Sequence, residues 1–100
     1  MTARDADEDA VGPVLEPGTI ARALIAAMRV STPDLTVIEL GGYLRVLANR
    51  RVTLARTDVE RVLGTPFRLP TDLEQVMPAF RGRLVVDDDS VTWEHMRRTS

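Results

Sequence analysis

The chain has 100 residues, with 15 acidic and 13 basic side chains, a net charge of −2 and no cysteine. This length predicts one domain, and the lack of cysteine excludes disulfides, thiolate catalysis and cysteine-ligated metals. The acidic balance argues against binding to nucleic acid through phosphate neutralisation. No apolar run reaches the roughly 20 residues of a membrane span. We therefore expect a cytoplasmic protein that binds neither nucleic acid nor a membrane.

The N-terminal segment differs in composition from the rest of the chain. Residues 1–10 carry four carboxylates and almost no apolar anchor, which predicts a disordered acidic arm. We expect the folded domain over residues 11–96 and a short tail over residues 97–100.

A strand and a helix are predicted next. Residues 11–15 form a short extended segment, which Pro13 confines to a sheet edge or to an irregular strand. The helix is predicted over residues 19–29 with Thr19 as its N-cap. Its apolar stripe at helical spacing consists of Ile20, Ala23, Leu24, Ala27 and Met28, with Ile25 beside it.

Three strands are predicted in the middle of the chain. Residues 35–40 are rich in β-branched side chains, residues 41–42 are a glycine turn, and residues 43–48 alternate. Residues 49–50 predict a tight hairpin turn into a strand over residues 51–55. On the second strand, alternation separates Tyr43, Arg45 and Leu47 from Leu44, Val46 and Ala48.

Two short helices are predicted after these strands, each from a capping box. The first box pairs Thr57 with Glu60, and Gly64 is placed to end the helix. The second box pairs Thr71 with Glu74. The predicted buried faces are Val59, Val62 and Leu63 in the first helix and Leu73, Val76 and Met77 in the second.

A final hairpin completes the predicted fold. Residues 83–87 and 91–96 are its strands, with a turn around the three aspartates at 87–89. The order is therefore β-α-β-β followed by β-α-α-β-β. We predict a single compact α+β domain in which short helices pack on antiparallel sheets.

The sequence supplies little for catalysis or metal binding. Its one histidine, His95, follows Glu94 on a predicted strand, where neighbours point to opposite sides and cannot share a metal. The aspartates at 87–89 lack the spacing of a calcium loop and predict a solvated turn. Trp93 is predicted to be a core or sheet-face tryptophan. We expect no catalytic residue, no metal and no cofactor.

Four segments occur in an order that is similar to a known family. They are Val11-Gly12-Pro13, Gly42-Tyr43-Leu44-Arg45-Val46, Leu63-Gly64-Thr65-Pro66-Phe67 and Phe80-Arg81-Gly82. Over residues 11–95 the chain resembles the small effector, or coupling, proteins of soluble di-iron monooxygenases, the regulators of methane, toluene and phenol hydroxylases.

The resemblance implies a non-catalytic regulatory subunit without a cofactor. Such a protein binds the di-iron hydroxylase component and tunes active-site geometry, access of substrate and oxygen, and the coupling of hydroxylation. The electron-transfer component is implied as a competitor for the same surface. We expect the free protein to be a monomer.

The resemblance also implies which segment meets the hydroxylase. It consists of Met77, Pro78, Ala79, Phe80 and Arg81. We predict that Met77 and Phe80 are anchors and that Arg81 pairs with a partner carboxylate; the alternative is that Phe80 belongs to the core. Relatives often carry small hydroxyl residues where this chain has Pro78 and Ala79, which predicts a stiffer, more apolar contact.

Three other functions stay open on the sequence alone. A stand-alone small-molecule-binding α+β regulatory module would bind a metabolite between helix and sheet. A small enzyme with a dispersed active site would show turnover in isolation, and a nucleic-acid adaptor would bind in a salt-sensitive manner.

Overall fold

The computed structural model describes residues 9–96, which contain seven strands and three helices. The strands are β1 (Ala10–Leu15), β2 (Thr36–Leu40), β3 (Tyr43–Asn49), β4 (Arg51–Ala55), β5 (Ala79–Arg81), β6 (Arg83–Val86) and β7 (Ser90–Glu94). The helices are α1 (Thr19–Ser31), α2 (Arg56–Leu63) and α3 (Thr71–Glu74). The α+β class is confirmed, and the predicted order lacked only the three-residue strand β5. No helix in the described range is long and apolar enough to cross a membrane.

The strands form two antiparallel sheets. The four-stranded sheet has the order β2-β3-β1-β5 and the three-stranded sheet the order β4-β7-β6. Of the two alternatives predicted for residues 11–15, the sheet edge is wrong, because β1 lies between β3 and β5, and the irregular strand is observed. Pro13 fits there because Gly12 and Pro13 have no register partner on β3, so its missing N–H removes no bond from that ladder.

The predicted hairpin at residues 49–50 is also wrong, because β3 and β4 belong to different sheets. Arg50 adopts a left-handed φ of 72° and forms a corner between them. Its N–H donates to the Asp9 carbonyl at 2.9 Å, and its carbonyl accepts the His95 N–H at 2.8 Å. The corner therefore ties the start of β1 to the end of β7.

The last two residues of the predicted disordered arm, residues 9–10, are part of the described fold. Ala10 already belongs to β1, and the Asp9 carboxylate pairs with the Arg50 guanidinium at 3.1 Å. The remainder of that arm, residues 1–8, and the predicted tail at 97–100 lie outside the described residues.

The helix ends differ from the capping predictions. Gly18, not Thr19, is the N-cap of α1, and neither α2 nor α3 has a side-chain cap. Glu60 accepts the Phe67 N–H at 2.9 Å instead of closing a capping box. The predicted C-cap is confirmed, because Gly64 is left-handed and donates its N–H to the Glu60 carbonyl at 2.7 Å.

One hydrophobic core lies between α1 and the inner faces of the sheets. Its largest fully buried side chains are Trp93, Leu15, Leu24, Met28, Leu54, Leu73, Val11, Val46, Val52, Val59 and Val91. Each such aliphatic side chain contributes roughly 1.5–3 kcal/mol when removed from water. The core position of Trp93 is confirmed, whereas Val62, predicted to be buried, is exposed on α2.

The turn between β6 and β7 is built on one carboxylate. Asp87 Oδ1 accepts the N–H groups of Asp89 and Ser90, both at 2.8 Å. These two backbone donors hold the pKa of the Asp87 carboxyl below its usual range. Within the described residues, no group of three or more His, Cys, Asp or Glu side chains is placed to hold a metal ion.

Candidate partner-binding surface

The segment predicted to meet a partner, residues 77–81, runs from the core onto a sheet edge. Met77 is only 8% exposed and packs in the core, so it supplies no contact surface. Phe80 is 43% exposed, which places it outside the buried core. The chain between them enters β5, which pairs with β1 at the edge of the four-stranded sheet.

Strand alternation separates the two predicted contacts at the end of this segment. Ala79 lies opposite Val14, whereas Phe80 lies opposite Pro13. Because directly opposite residues share a face and successive residues alternate, Ala79 and Arg81 point to one side of the sheet and Phe80 to the other. Phe80 and Arg81 are therefore on opposite faces of β5.

Arg81 belongs to a larger surface, which we call the outer face of the four-stranded sheet. We define it by the side chains that the register places on this side between Tyr43 and Leu47 of β3 and their neighbours: Val14, Thr36, Ile38, Leu40, Tyr43, Arg45, Leu47, Ala79 and Arg81. None of them is buried among the described residues. The opposite face carries the core residues Leu15, Val46 and Ala48. Six of the nine outer-face side chains are apolar or aromatic, which is typical of an interaction surface.

The charges on the outer face have one sign. Arg45 and Arg81 are its ionised groups, and neither forms an ion pair with another described residue. Among the other arginines of residues 9–96, four pair with carboxylates, namely Arg50, Arg56, Arg61 and Arg68, and four form no ion pair, namely Arg22, Arg29, Arg51 and Arg83. The outer face therefore combines apolar area with two arginines that have no carboxylate partner in the described part of the chain.

A network of charges between α2 and the β6–β7 turn has a structural role. The Arg56 guanidinium donates to Glu60 on the same helix and to Asp89 in the β6–β7 turn, both at 3.0 Å. The pKa of the Glu60 carboxyl is lowered, chiefly because it accepts the Phe67 N–H. The pKa of Arg56 is raised by its hydrogen bond to Asp89 and, next, by its hydrogen bond to Glu60. The network joins α2 to the hairpin and to the following loop.

Two surface depressions are alternative candidates for a small-molecule binding site, and neither fits that role. One, of about 250 Å³, is lined by Ala10, Val11, Arg81, Gly82, His95 and Met96. The other, of about 330 Å³, lies beside Glu60, Gly64, Thr65 and Pro66. Neither lies between α1 and a sheet, where a small-molecule-binding module would hold its ligand.

His95 places Nε2 3.2 Å from Asp9 Oδ1, a contact that fixes the start of β1.

Sequence analysis did not assign Ile38 or Leu40 to the contact surface. The sequence does show a pattern of period two, because Thr36, Ile38 and Leu40 alternate with Val37 and Glu39 along β2. This pattern identifies Ile38 and Leu40 as outer-face residues only once the strand register is known, because Ile38 lies opposite Arg45 and Leu40 opposite Tyr43.

The chain has clear relatives. It is 37% identical over 94 residues, 92% of each chain, to the effector subunit of the alkene monooxygenase system of Xanthobacter autotrophicus (strain ATCC BAA-1158 / Py2). Its fold matches a chain of a phenol hydroxylase–regulatory protein complex with a TM-score of 0.76 at 22% identity, covering 85% of this chain and 97% of that one. It also matches the soluble methane monooxygenase regulatory protein B with a TM-score of 0.66 at 19% identity, covering 88% and 66%.

The family model for the MmoB/DmpM family matches residues 9–94, nearly the whole described range. This family and the alkene monooxygenase relative are regulatory components of monooxygenases, not the catalytic hydroxylase. The chain belongs to the MmoB/DmpM family and is an effector subunit of a multicomponent monooxygenase.

Proposed function

We propose that this effector binds the hydroxylase component of its monooxygenase through the outer face of the four-stranded sheet. The observation that supports this most directly is the placement of Ala79 and Arg81, from the predicted contact segment, on one apolar and exposed face. Ala79 and Arg81 then extend the outer face to its β5 edge. Phe80 is exposed on the other face of this edge strand, where a partner that reaches around the edge would contact it.

The effector acts on the di-iron hydroxylase by differential binding. A protein that bound resting and active hydroxylase equally well would change nothing. A hundredfold gain in rate requires about 2.7 kcal/mol of preferential stabilisation of the reaction barrier, within the roughly 1–3 kcal/mol typical of coupling between sites. A flat sheet face with a few anchors is sufficient for this role.

Three features of the role follow from the resemblance. Docking reshapes the active site and controls access of substrate and oxygen, which raises the coupling of reductant use to product. The electron-transfer component competes for part of the same surface on the hydroxylase. The free effector is a cytoplasmic monomer.

Reconstituted turnover tests this proposal. Product formation and reductant consumption are measured with the hydroxylase and the electron-transfer component of the same system while the effector is titrated. We expect product per reductant to rise and saturate. Product formation that does not depend on the effector would overturn the proposal.

Matched variants locate the surface in the same assay. Arg81→Gln removes a charge from the outer face, and Arg83→Gln removes one two residues away on the three-stranded sheet. We expect Arg81→Gln to raise the effector concentration needed for half-maximal stimulation several-fold, and Arg83→Gln to leave it unchanged. Equal effects of the two variants would place the docking surface elsewhere.

A further inference from the structure

Arg45 lies at the centre of the outer face. The register places Ile38 on β2 and Val14 on β1 directly opposite Arg45, one on each side. Along β3, Tyr43 and Leu47 precede and follow it on the same face. The aliphatic part of the Arg45 side chain is therefore surrounded on four sides by apolar or aromatic side chains.

The environment of Arg45 is unusual for a surface arginine. Its side chain is half-buried, yet it makes no ion pair within residues 9–96. Burial against apolar neighbours removes part of its hydration without an opposite charge in return. Arginine loses hydration more readily than lysine and pairs with carboxylates through two parallel hydrogen bonds. Arginine and tyrosine are also enriched among the residues that dominate binding energies at interfaces.

We propose that Arg45 and its four neighbours form an anchor that receives a carboxylate of the hydroxylase, itself surrounded by apolar side chains. The proposal rests on the proposed function and adds the chemistry of the partner's surface. Tyr43, with 44% of its surface exposed, and Ile38 cover the ion pair from water when the two proteins meet. Exclusion of water strengthens the pair, since its attraction rises as the local dielectric constant falls.

The charges favour a protein carboxylate over two other occupants. A second copy of this chain would bring Arg45 and Arg81 against the same two arginines, because the outer face carries no carboxylate. A nucleic acid would meet only these two cations on a chain with a net charge of −2. An acidic group on an apolar protein surface satisfies both the charge and the apolar neighbours.

The test compares the dissociation constants of Arg45→Gln and Arg51→Gln for the hydroxylase at several salt concentrations. Arg51 is the matched control, an exposed strand arginine on the three-stranded sheet. We expect Arg45→Gln to weaken binding roughly tenfold to a hundredfold and Arg51→Gln to have little effect. Equal affinities of Arg45→Gln and the unaltered protein would overturn the anchor, whereas failure of the unaltered protein to bind would overturn the proposed function itself.

An experiment without substitutions covers the case in which Arg45→Gln does not fold. An arginine-directed dicarbonyl reagent is applied to the free effector and to its complex, and modification is measured by mass spectrometry. We expect Arg45 to be protected in the complex and Arg51 to react as in the free protein. Modification of Arg45 at the same rate in both states would overturn the proposal.

Discussion

The outward faces of the two sheets differ in which polar and charged side chains lie opposite one another. On the three-stranded sheet, the Thr53 and Thr92 hydroxyls share a hydrogen bond at 3.1 Å, and Arg51 and Arg83 both lie opposite Glu94. On the four-stranded sheet, Arg45 and Arg81 have no carboxylate opposite them. Both sheets are antiparallel and cover the same core.

This difference bears on which of the two faces binds the hydroxylase. On the three-stranded sheet Glu94 lies between two arginines in the register, so a partner that covered this face would have to desolvate charges of both signs. A surface of apolar side chains with arginines of one sign gains both area and ion pairs. This difference supports our proposal that the hydroxylase docks on the outer face of the four-stranded sheet and leaves the other outward face in contact with solvent.

The largest effect is expected from breaking the sheet that carries the docking face. A Cβ at Gly12 would lie 2.1 Å from the Val46 carbonyl oxygen, and its φ of +146° is strained for any side chain. We expect Gly12→Ala to lower the free energy of unfolding by about 3 kcal/mol or more, measured by urea denaturation. Gly41→Ala is the control, since its Cβ would meet open space, and it should cost about 1 kcal/mol for its left-handed φ. Equal losses would contradict the close approach of β1 to β3.

A second pair of variants compares the outward faces of the two sheets, using two side chains that are exposed to the same fraction. Tyr43 on the docking face is 44% exposed and Val85 on the other face is 43% exposed. We expect Tyr43→Ala to weaken hydroxylase binding about tenfold and Val85→Ala to change it little, with both variants remaining folded. Titration calorimetry measures the affinities. A larger loss for Val85→Ala would reverse the assignment of the faces.

The smallest effect concerns the network that holds the hairpin to α2. The pKa of Glu60 is lowered in the folded state, so its contribution to stability is present above the usual glutamate range and is lost as pH falls through the lowered value. We expect Glu60→Gln to reduce the melting temperature at neutral pH, with the difference from the unaltered protein shrinking in acid. Glu74→Gln is the control, because Glu74 makes no side-chain hydrogen bond to the described residues. A difference that grows in acid would contradict the lowered pKa.

Much of the fold could be predicted from local patterns. The stripe of α1, the alternation of β3, the glycine turn at 41–42 and the C-cap at Gly64 each depend on neighbouring residues, and the structure confirms them. The central position of β1 and the corner at Arg50 depend on pairing between distant segments, which the sequence pattern does not contain.

The candidate site was predicted only in part for the same reason. The segment at 77–81 was found through resemblance, but the three residues of β5 are too few to show a period. The opposite orientations of Phe80 and Arg81 depend on pairing with Pro13 and its neighbours on β1. Likewise, the surroundings of Arg45 come from three strands that are separated along the chain.

Amide hydrogen–deuterium exchange of the free effector and of its complex with the hydroxylase tests the central claim most directly. The two faces are read separately, from peptides covering residues 36–47 and residues 83–94. We expect exchange to slow on binding in residues 36–47 and to stay unchanged in residues 83–94. Slowing confined to residues 83–94 would contradict the assignment of the docking face.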